Sequence, residues 1–316
     1  MSLTIPPILI LAWRRPHTLR KVINAIRPVA PTRVFVACDG PNPKRPGESE
    51  KVAATRDLID QEIDWPCHIE RFYSDVNQGC RLGVSRAITW FFDHVEEGII
   101  LEDDCVPHPD FFSYCTTLLD LYRHDTRIWC ISGGNFQNGN WRGDGSYYFS
   151  QYNHCWGWAS WRRCWRHYDS DLSQWPFLRN SELITSVFAD PKERSYWTKI
   201  WDGLVETGKP DSWAYRWTFT CFANRGLTAL PNRNLVTNVG FGDDATHTTD
   251  EWLDTSIGHG ICPIHHPSFV LRDSSADRFT FDNVFGGKWF RFPYSIFRFP
   301  RRVVFKIIRL IRVINV

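Results

Sequence analysis

Five consecutive apolar residues, Ile8-Leu9-Ile10-Leu11-Ala12, open the hydrophobic pattern of this chain. A run of that length without polar alternation reads as a strand covered on both faces. A helical stretch near Thr18–Ile26 follows, then a second apolar strand, Arg33–Cys38, closed by the turn Asp39-Gly40-Pro41-Asn42-Pro43. The alternation continues with a helix near Ser49–Gln61, a strand over Cys67–Tyr73, a polar loop from Asn77 to Gly83, a helix near Val84–His94 and a strand over Gly98–Leu101. Strands alternating with helices predict an α/β fold with a mostly parallel central sheet flanked by helices. Ligands of such sheets bind beyond the carboxyl ends of the strands. Arg15, Asp39 and the acids Glu102-Asp103-Asp104 all fall at such ends.

Past Asp110 the texture changes. A helix near Asp110–Tyr122 leads to a strand at Trp129–Ser132, a Gly/Asn-rich loop over Gly133–Gly145, and an aromatic block, Tyr147-Tyr148-Phe149 and Trp156-Gly157-Trp158-Ala159-Ser160-Trp161. Loops of that length are often functional. From Lys288 to Val316 the chain carries eight Lys or Arg and no Asp or Glu, interspersed with Phe, Ile, Val and Leu. Residues 281–316 are therefore expected to form a basic amphipathic tail on an anionic membrane surface; the alternative is a helix packed on the domain with its basic face solvated. No run of roughly 20 apolar residues is present, and the opening run Ile5–Trp13 holds two prolines and lacks a basic lead, so neither a spanning helix nor a signal peptide is expected. The expected place is the cytoplasm, peripheral on the inner face of the cell membrane.

Composition narrows the classes. A net charge of only +2 gives no broad basic field, which excludes nucleic acid as the expected partner. Sixteen tryptophans suit cores and also stacking on sugar faces; most are expected in the core. The ten cysteines contain no Cys-x-x-Cys pair, so zinc-ribbon and thioredoxin readings fail and a reducing compartment fits. Cys262 with His265-His266 lacks the spacing and the fourth ligand of a zinc site.

The chemistry concentrates at Glu102-Asp103-Asp104. Adjacent carboxylates at a strand end repel, and something positive is expected to meet them. Hard divalent cations take oxygen ligands and share them with phosphates; the alternative is a solvated turn whose acids favour the next helix's N-terminus. A sugar nucleotide offers a base, a ribose diol and a diphosphate. Asp39 suits a base N–H, Glu102 and Asp103 the ribose, Asp104 a metal bridging the phosphates, and Arg15 the remaining phosphate charge. Asn77, Gln78, Gly79 and Arg81 suit a donor-side loop or a plain turn and N-cap. Neither Gly-x-x-x-x-Gly-Lys-Ser/Thr nor Gly-x-Gly-x-x-Gly occurs, which removes the main support for P-loop and dinucleotide readings.

Strand Ile8–Ala12 with Arg15, Val36-Ala37-Cys38-Asp39, and Leu101-Glu102-Asp103-Asp104 followed by Pro109-Asp110-Phe111-Phe112 resemble GT-A glycosyltransferases. The match is to the N-acetylglucosaminyltransferase I-like group (glycosyltransferase family 13) and its bacterial relatives, over roughly residues 5–250. Trp129-Cys130-Ile131-Ser132 and Trp156-Gly157-Trp158 fall in the matching order. The resemblance implies a GT-A domain over residues 1–280, with a nucleotide-binding half to about 105 and an acceptor half over about 106–280. It implies a nucleotide-sugar donor; Asp39 suits the N3–H of a uracil, hence a UDP-sugar, though a guanine N–H would serve too, and the basic tail suits a glycan or lipid-linked acceptor. It also implies Mn²⁺ or Mg²⁺ on Asp104 and inversion by direct displacement with an Asp general base. That base corresponds to Asp211 in Lys209-Pro210-Asp211-Ser212-Trp213, with Asp202 as the fallback; the alternative for Asp211 is an N-cap of the next helix. The family carries paired acids where this chain has Asp211-Ser212.

His247, in a loop with Gly240 and Gly242, suits the diphosphate or the metal shell, while Asp243 and Asp244 read as solvated acids. Trp156, Gly157 and Trp158 are the candidate acceptor platform, against a core reading. A nucleotidyltransferase also joins an α/β sheet, acids and a metal, but normally shows a Gly-rich loop where this chain has Trp13-Arg14-Arg15-Pro16. A noncatalytic carbohydrate- or lipid-binding module is the third reading.

Overall fold

The computed structural model describes residues 4–240 and 260–297. In order, the first half comprises β1 (Ile8–Ala12), α1 (Pro16–Ile26), β2 (Arg33–Cys38), α2 (Glu48–Glu62), β3 (His68–Tyr73), α3 (Gly79–His94) and β4 (Glu97–Glu102). Next come β5 (Cys105–Pro107), α4 (Pro109–Leu121), β6 (Ile128–Ser132), β7 (Tyr147–Ser150) and β8 (Trp158–Trp161). The remainder holds α5 (Arg162–Trp165), α6 (Trp175–Asn180), α7 (Ile184–Val187), α8 (Pro191–Thr207), α9 (Ala214–Ala223), β9 (Leu227–Pro231), β10 (Val236–Asn238) and α10 (Ser274–Asn283).

Eight strands form one sheet in the order β3-β2-β1-β4-β8-β6-β9-β7. The first four are parallel, with Leu9 beside Phe35 and Ile8 beside Ile99. β8 runs antiparallel between β4 and β6, and β7 runs antiparallel along β9. The α/β architecture with a largely parallel sheet is thus the one expected. β1 is wholly buried, which explains its unbroken apolar run. α1 buries Leu19, Val22, Ile23 and Ile26 at helical spacing, after a proline in its first turn where no N–H is missed. The chain leaves β1 for β2 on one side and reaches β4 on the other, so the strand order reverses between β1 and β4. That reversal opens a crevice at their carboxyl ends.

Residues 162–223, where the sequence pattern had suggested no elements, fold into short helices around aromatic rings. Trp158 stacks on Trp213 with centroids 5.7 Å apart, and Trp197 stacks on Trp201 at 5.4 Å. Among the described residues seven tryptophans are fully buried, so the aromatic load there is chiefly core, as expected.

The packed chain continues past the expected boundary at residue 280. Asp273 caps α10 by accepting from Ser275 and Ala276 N–H groups. Phe281 is fully buried, Phe285 stacks on Tyr152 at 5.2 Å, and Arg291 pairs with Asp282 at 2.9 Å and with Asp190. Residues 281–291 therefore belong to the body of the fold rather than to a tail. No helix among the described residues is long and apolar enough to cross a membrane.

α10 docks beside a buried acid on α8. Glu193 accepts from Gln151 Nε2 at 2.9 Å and from the Tyr152 hydroxyl. Burial pushes its carboxyl up to about 7. A carboxyl raised in the fold favours the folded state below its unfolded pKa, and that contribution is lost as pH climbs from about 4.5 through 7. Glu193→Gln keeps an accepting oxygen and cannot ionise. It is expected to stabilise the fold at pH 8.5 by about 2 kcal/mol, and to match the parent at pH 4, in urea unfolding. A difference independent of pH would remove Glu193 as the cause.

Candidate active site

The crevice between β1 and β4 holds the acidic turn. β4 ends at Glu102, and Asp103 and Asp104 are 3% and 8% exposed. Arg15, at the N-cap of α1, meets them: its Nη2 binds Asp103 Oδ1 and lies 2.9 Å from Asp104 Oδ2. The Trp13 N–H donates to the other Asp103 oxygen at 3.3 Å. Two carboxylates thus share one guanidinium, and the third, Glu102, feels its charge without pairing to it. Burial, and then the neighbouring Asp104 and Asp103 charges, push Glu102 up to about 8. Burial, opposed by Arg15, raises Asp103 to about 6. At Glu102, Arg15 and then the Trp213 indole oppose the rise and favour the ionised form. The turn therefore carries more carboxylate than cation.

A two-stranded ribbon, β5 against β10, carries the chain away from this turn, with Cys105 opposite Asn238 and Pro107 opposite Val236. The Val239 N–H donates to the Asp104 carbonyl at 2.8 Å. Gly240 then lies against the Asp104 carboxylate and Arg15; a Cβ there would collide with Asp104 Oδ2, so only glycine fits. The chain re-enters the described structure at Gly260, and the Ile261 N–H donates to Asp110 Oδ2 at 2.8 Å. Asp104 and Asp110 thus pin the two ends of the intervening segment. His247, Asp243 and Asp244 lie outside the described residues.

Asp39 accepts from Gly40 N–H at 2.8 Å, Gln78 N–H at 2.9 Å and Asn77 Nδ2 at 3.0 Å. It thereby organises the loop at Asn77 and Gln78.

Asp211 faces the same helix start. Its Oδ2 accepts from Arg81 N–H at 3.4 Å and approaches Gly79 so closely that a Cβ there would come within 2.6 Å of it. α9 begins at Ala214 with Trp213 at its N-cap and no side-chain cap, so the N-cap alternative for Asp211 fails. Asp211 instead serves the amino end of α3, where free N–H groups favour negative charge. Its charge and that of Glu102 both add to burial in raising Cys80, to about 12. The Arg81 guanidinium points to Asp171, 3.6 Å away. Asp202 is held by Arg179 at 2.7 Å and Trp175 Nε1 at 3.0 Å; those bonds take it out of the fallback role.

Of the aromatic platform, Trp158 lies in mid-sheet beside Ile100 and Ser132 and is 1% exposed. It has no surface to offer an acceptor. Gly157 has φ +65°, and a Cβ would sit 2.7 Å from Val236 Cγ2, so it serves the close approach of β10. Trp156 is partly buried and meets Phe136 edge-on at 5.2 Å. Sequence reasoning missed Trp213 and the contact of Gly240 with Asp104. The resemblance drew attention to the 209–217 segment for Asp211 and not for Trp213, which packs against Trp158.

The donor set at the turn fits a hard divalent cation, being carboxylate oxygen with negative charge to spare. Among the described residues no group of three or more His, Cys, Asp or Glu side chains converges as a metal site. Asp103 and Asp104 are the residues that would hold Mn²⁺ or Mg²⁺, with further oxygens coming from a bound diphosphate.

No protein-family model and no curated protein matches the chain. Among solved structures, the galactosyltransferase LgtC with donor and acceptor sugar analogs is 13% identical, with a TM-score of 0.33 over 55% of this chain and 64% of that one. The chain thus spans less than two thirds of that protein. An active-site mutant of LgtC gives 12% identity and a TM-score of 0.39 over 87% of this chain and 94% of that one. HddC from Yersinia pseudotuberculosis, complexed with GMP-PN, gives 9% identity and a TM-score of 0.34 over 56% and 87%. With every one of these TM-scores below 0.5, the functional argument rests on the residues of the crevice.

Proposed function

We propose that the chain is a GT-A-type glycosyltransferase that moves a sugar from a nucleotide-diphosphate donor to a glycan or lipid-linked acceptor with inversion. The supporting observation is the buried Arg15–Asp103–Asp104 cluster at the β1/β4 reversal; Asp211, which accepts from the Arg81 N–H at the start of α3, is the proposed base. Asp103 and Asp104 hold the divalent cation, with His247 as a further ligand of the cation or the diphosphate. A cation bound there stabilises the leaving diphosphate as its charge develops. Arg15 supplies a second positive group for the phosphates. The loop at Asn77 and Gln78 that Asp39 organises, with Gly79 and Arg81, faces the nucleotide, and Glu102 the ribose.

In the reaction, the acceptor hydroxyl oxygen forms the new bond to the anomeric carbon as the bond from that carbon to the diphosphate oxygen breaks. The electron pair leaves with the diphosphate, and the hydroxyl proton passes to Asp211. An exposed carboxylate at a helix start has lone pairs available for that proton. The basic sequence that follows Arg291, opening on Phe292, which is 81% exposed, supports attachment to an anionic membrane surface on the cytoplasmic side.

The test is a thermal-shift screen of nucleotide sugars, UDP-sugars first, with and without Mn²⁺. A ligand at 100 times its Kd stabilises by about 2.7 kcal/mol, so a metal-dependent rise in Tm is expected. Stabilisation by no nucleotide sugar under either condition overturns the reading.

A further inference from the structure

Past the carboxyl end of β9, on the same side of the sheet as the acidic turn, lies a separate cleft of about 310 Å³. Trp141 and Asp144 line it from the loop before β7, Arg233 from the loop after β9, and Ile261, Cys262 and His265 from the segment pinned to Asp110. Trp141 is 54% exposed, a large apolar surface to leave in water. The Arg233 guanidinium stands 5.9 Å from its ring centre and, among the described residues, forms no ion pair. Asp144 accepts from the Ser268 N–H at 3.3 Å and from its hydroxyl at 2.5 Å, which holds its carboxyl below the usual range and ionised.

An exposed indole with polar groups at its rim suits the C–H face of a pyranose. A guanidinium takes a carboxylate or phosphate bidentately, and an ionised acid accepts from sugar hydroxyls. The two walls are also tied to the acidic turn. The β5–β10 ribbon starts at Asp104 and Val239 and ends where Leu235 O accepts from His108 N–H, two residues from Arg233 and two from Asp110. Three residue pairs span about 10 Å, roughly two sugar rings.

We infer that this cleft binds a sugar residue of the acceptor that carries an acidic group, a uronate carboxylate or a phosphate, a few residues from the hydroxyl that reacts. The inference rests on the glycosyl-transfer reading. Trp141 packs on the ring, Arg233 takes the anionic group, and Asp144 orients the hydroxyls.

Titration calorimetry with tetragalacturonate, maltotetraose and inorganic phosphate tests it. Tetragalacturonate is expected to bind at least tenfold more tightly than maltotetraose. Trp141→Ala and Arg233→Glu are each expected to weaken it at least tenfold, with circular dichroism and Tm unchanged because both side chains are exposed. Phosphate binding that is lost in Arg233→Glu supports the site with phosphate as the anionic group. Equal affinity for the two tetrasaccharides, tetragalacturonate binding unaffected by Arg233→Glu, or no binding of either anion overturns the inference. Asp104→Ala is expected to bind tetragalacturonate as the parent does. Loss of the nucleotide-sugar response with tetragalacturonate binding intact therefore counts against glycosyl transfer and not against the cleft.

Discussion

Asp211→Asn is expected to lower sugar transfer by about 10²–10⁴-fold, the range a positioned general base supplies, while leaving donor affinity within a few-fold. The asparagine keeps an oxygen for the Arg81 N–H and keeps the shape that packs against Gly79, so the start of α3 survives. What it loses is the ability to take a proton. Single-turnover transfer and donor titration separate the two effects. If donor affinity falls in parallel with transfer, Asp211 acts in donor binding through α3 and the base lies elsewhere.

Asp104→Ala is expected to abolish Mn²⁺-dependent donor turnover, both hydrolysis and transfer, and to remove the Mn²⁺-dependent part of the thermal shift by nucleotide sugars. Two interactions end together. The carboxylate 2.9 Å from Arg15 disappears, and the turn loses the hard oxygen donors that suit the cation. Arg15 keeps Asp103, so the guanidinium is not left unpaired, and the cost to the fold stays well below the 3–5 kcal/mol of a fully broken buried pair. Turnover that persists at the parent rate in the variant would take the metal away from this turn.

The first hundred residues were legible because β1, β2 and β4 are buried on both faces and α1 on one, so burial is written directly as runs and periods. The start of α3 was not. Gly79-Cys80-Arg81-Leu82-Gly83 reads as a loop because two glycines disfavour a helix, yet Asp39 accepts from the Gln78 N–H 39 residues away and Asp211 from the Arg81 N–H 130 residues away, which satisfies the helix start. Local pattern cannot report partners that far away. The acids Glu102-Asp103-Asp104 stood out because adjacent charges after a buried strand are costly, and Arg15 was found with them because both end neighbouring strands. Trp158 misled for the opposite reason: tryptophan serves cores and sugar sites alike, and only its place between β4 and β6 decides. Residues 162–223 pack by ring-to-ring contacts with no repeat period, which leaves little for a periodicity argument to find.

Asp104 holds Val239 through its carbonyl, and six residues further on Asp110 holds Ile261 through its carboxylate. The β5–β10 ribbon begins at the first of these points and leads to the second. A substitution that moves the acidic turn therefore also moves the start of α4 and the chain at Ile261, so the donor end and the far cleft share one mechanical linkage.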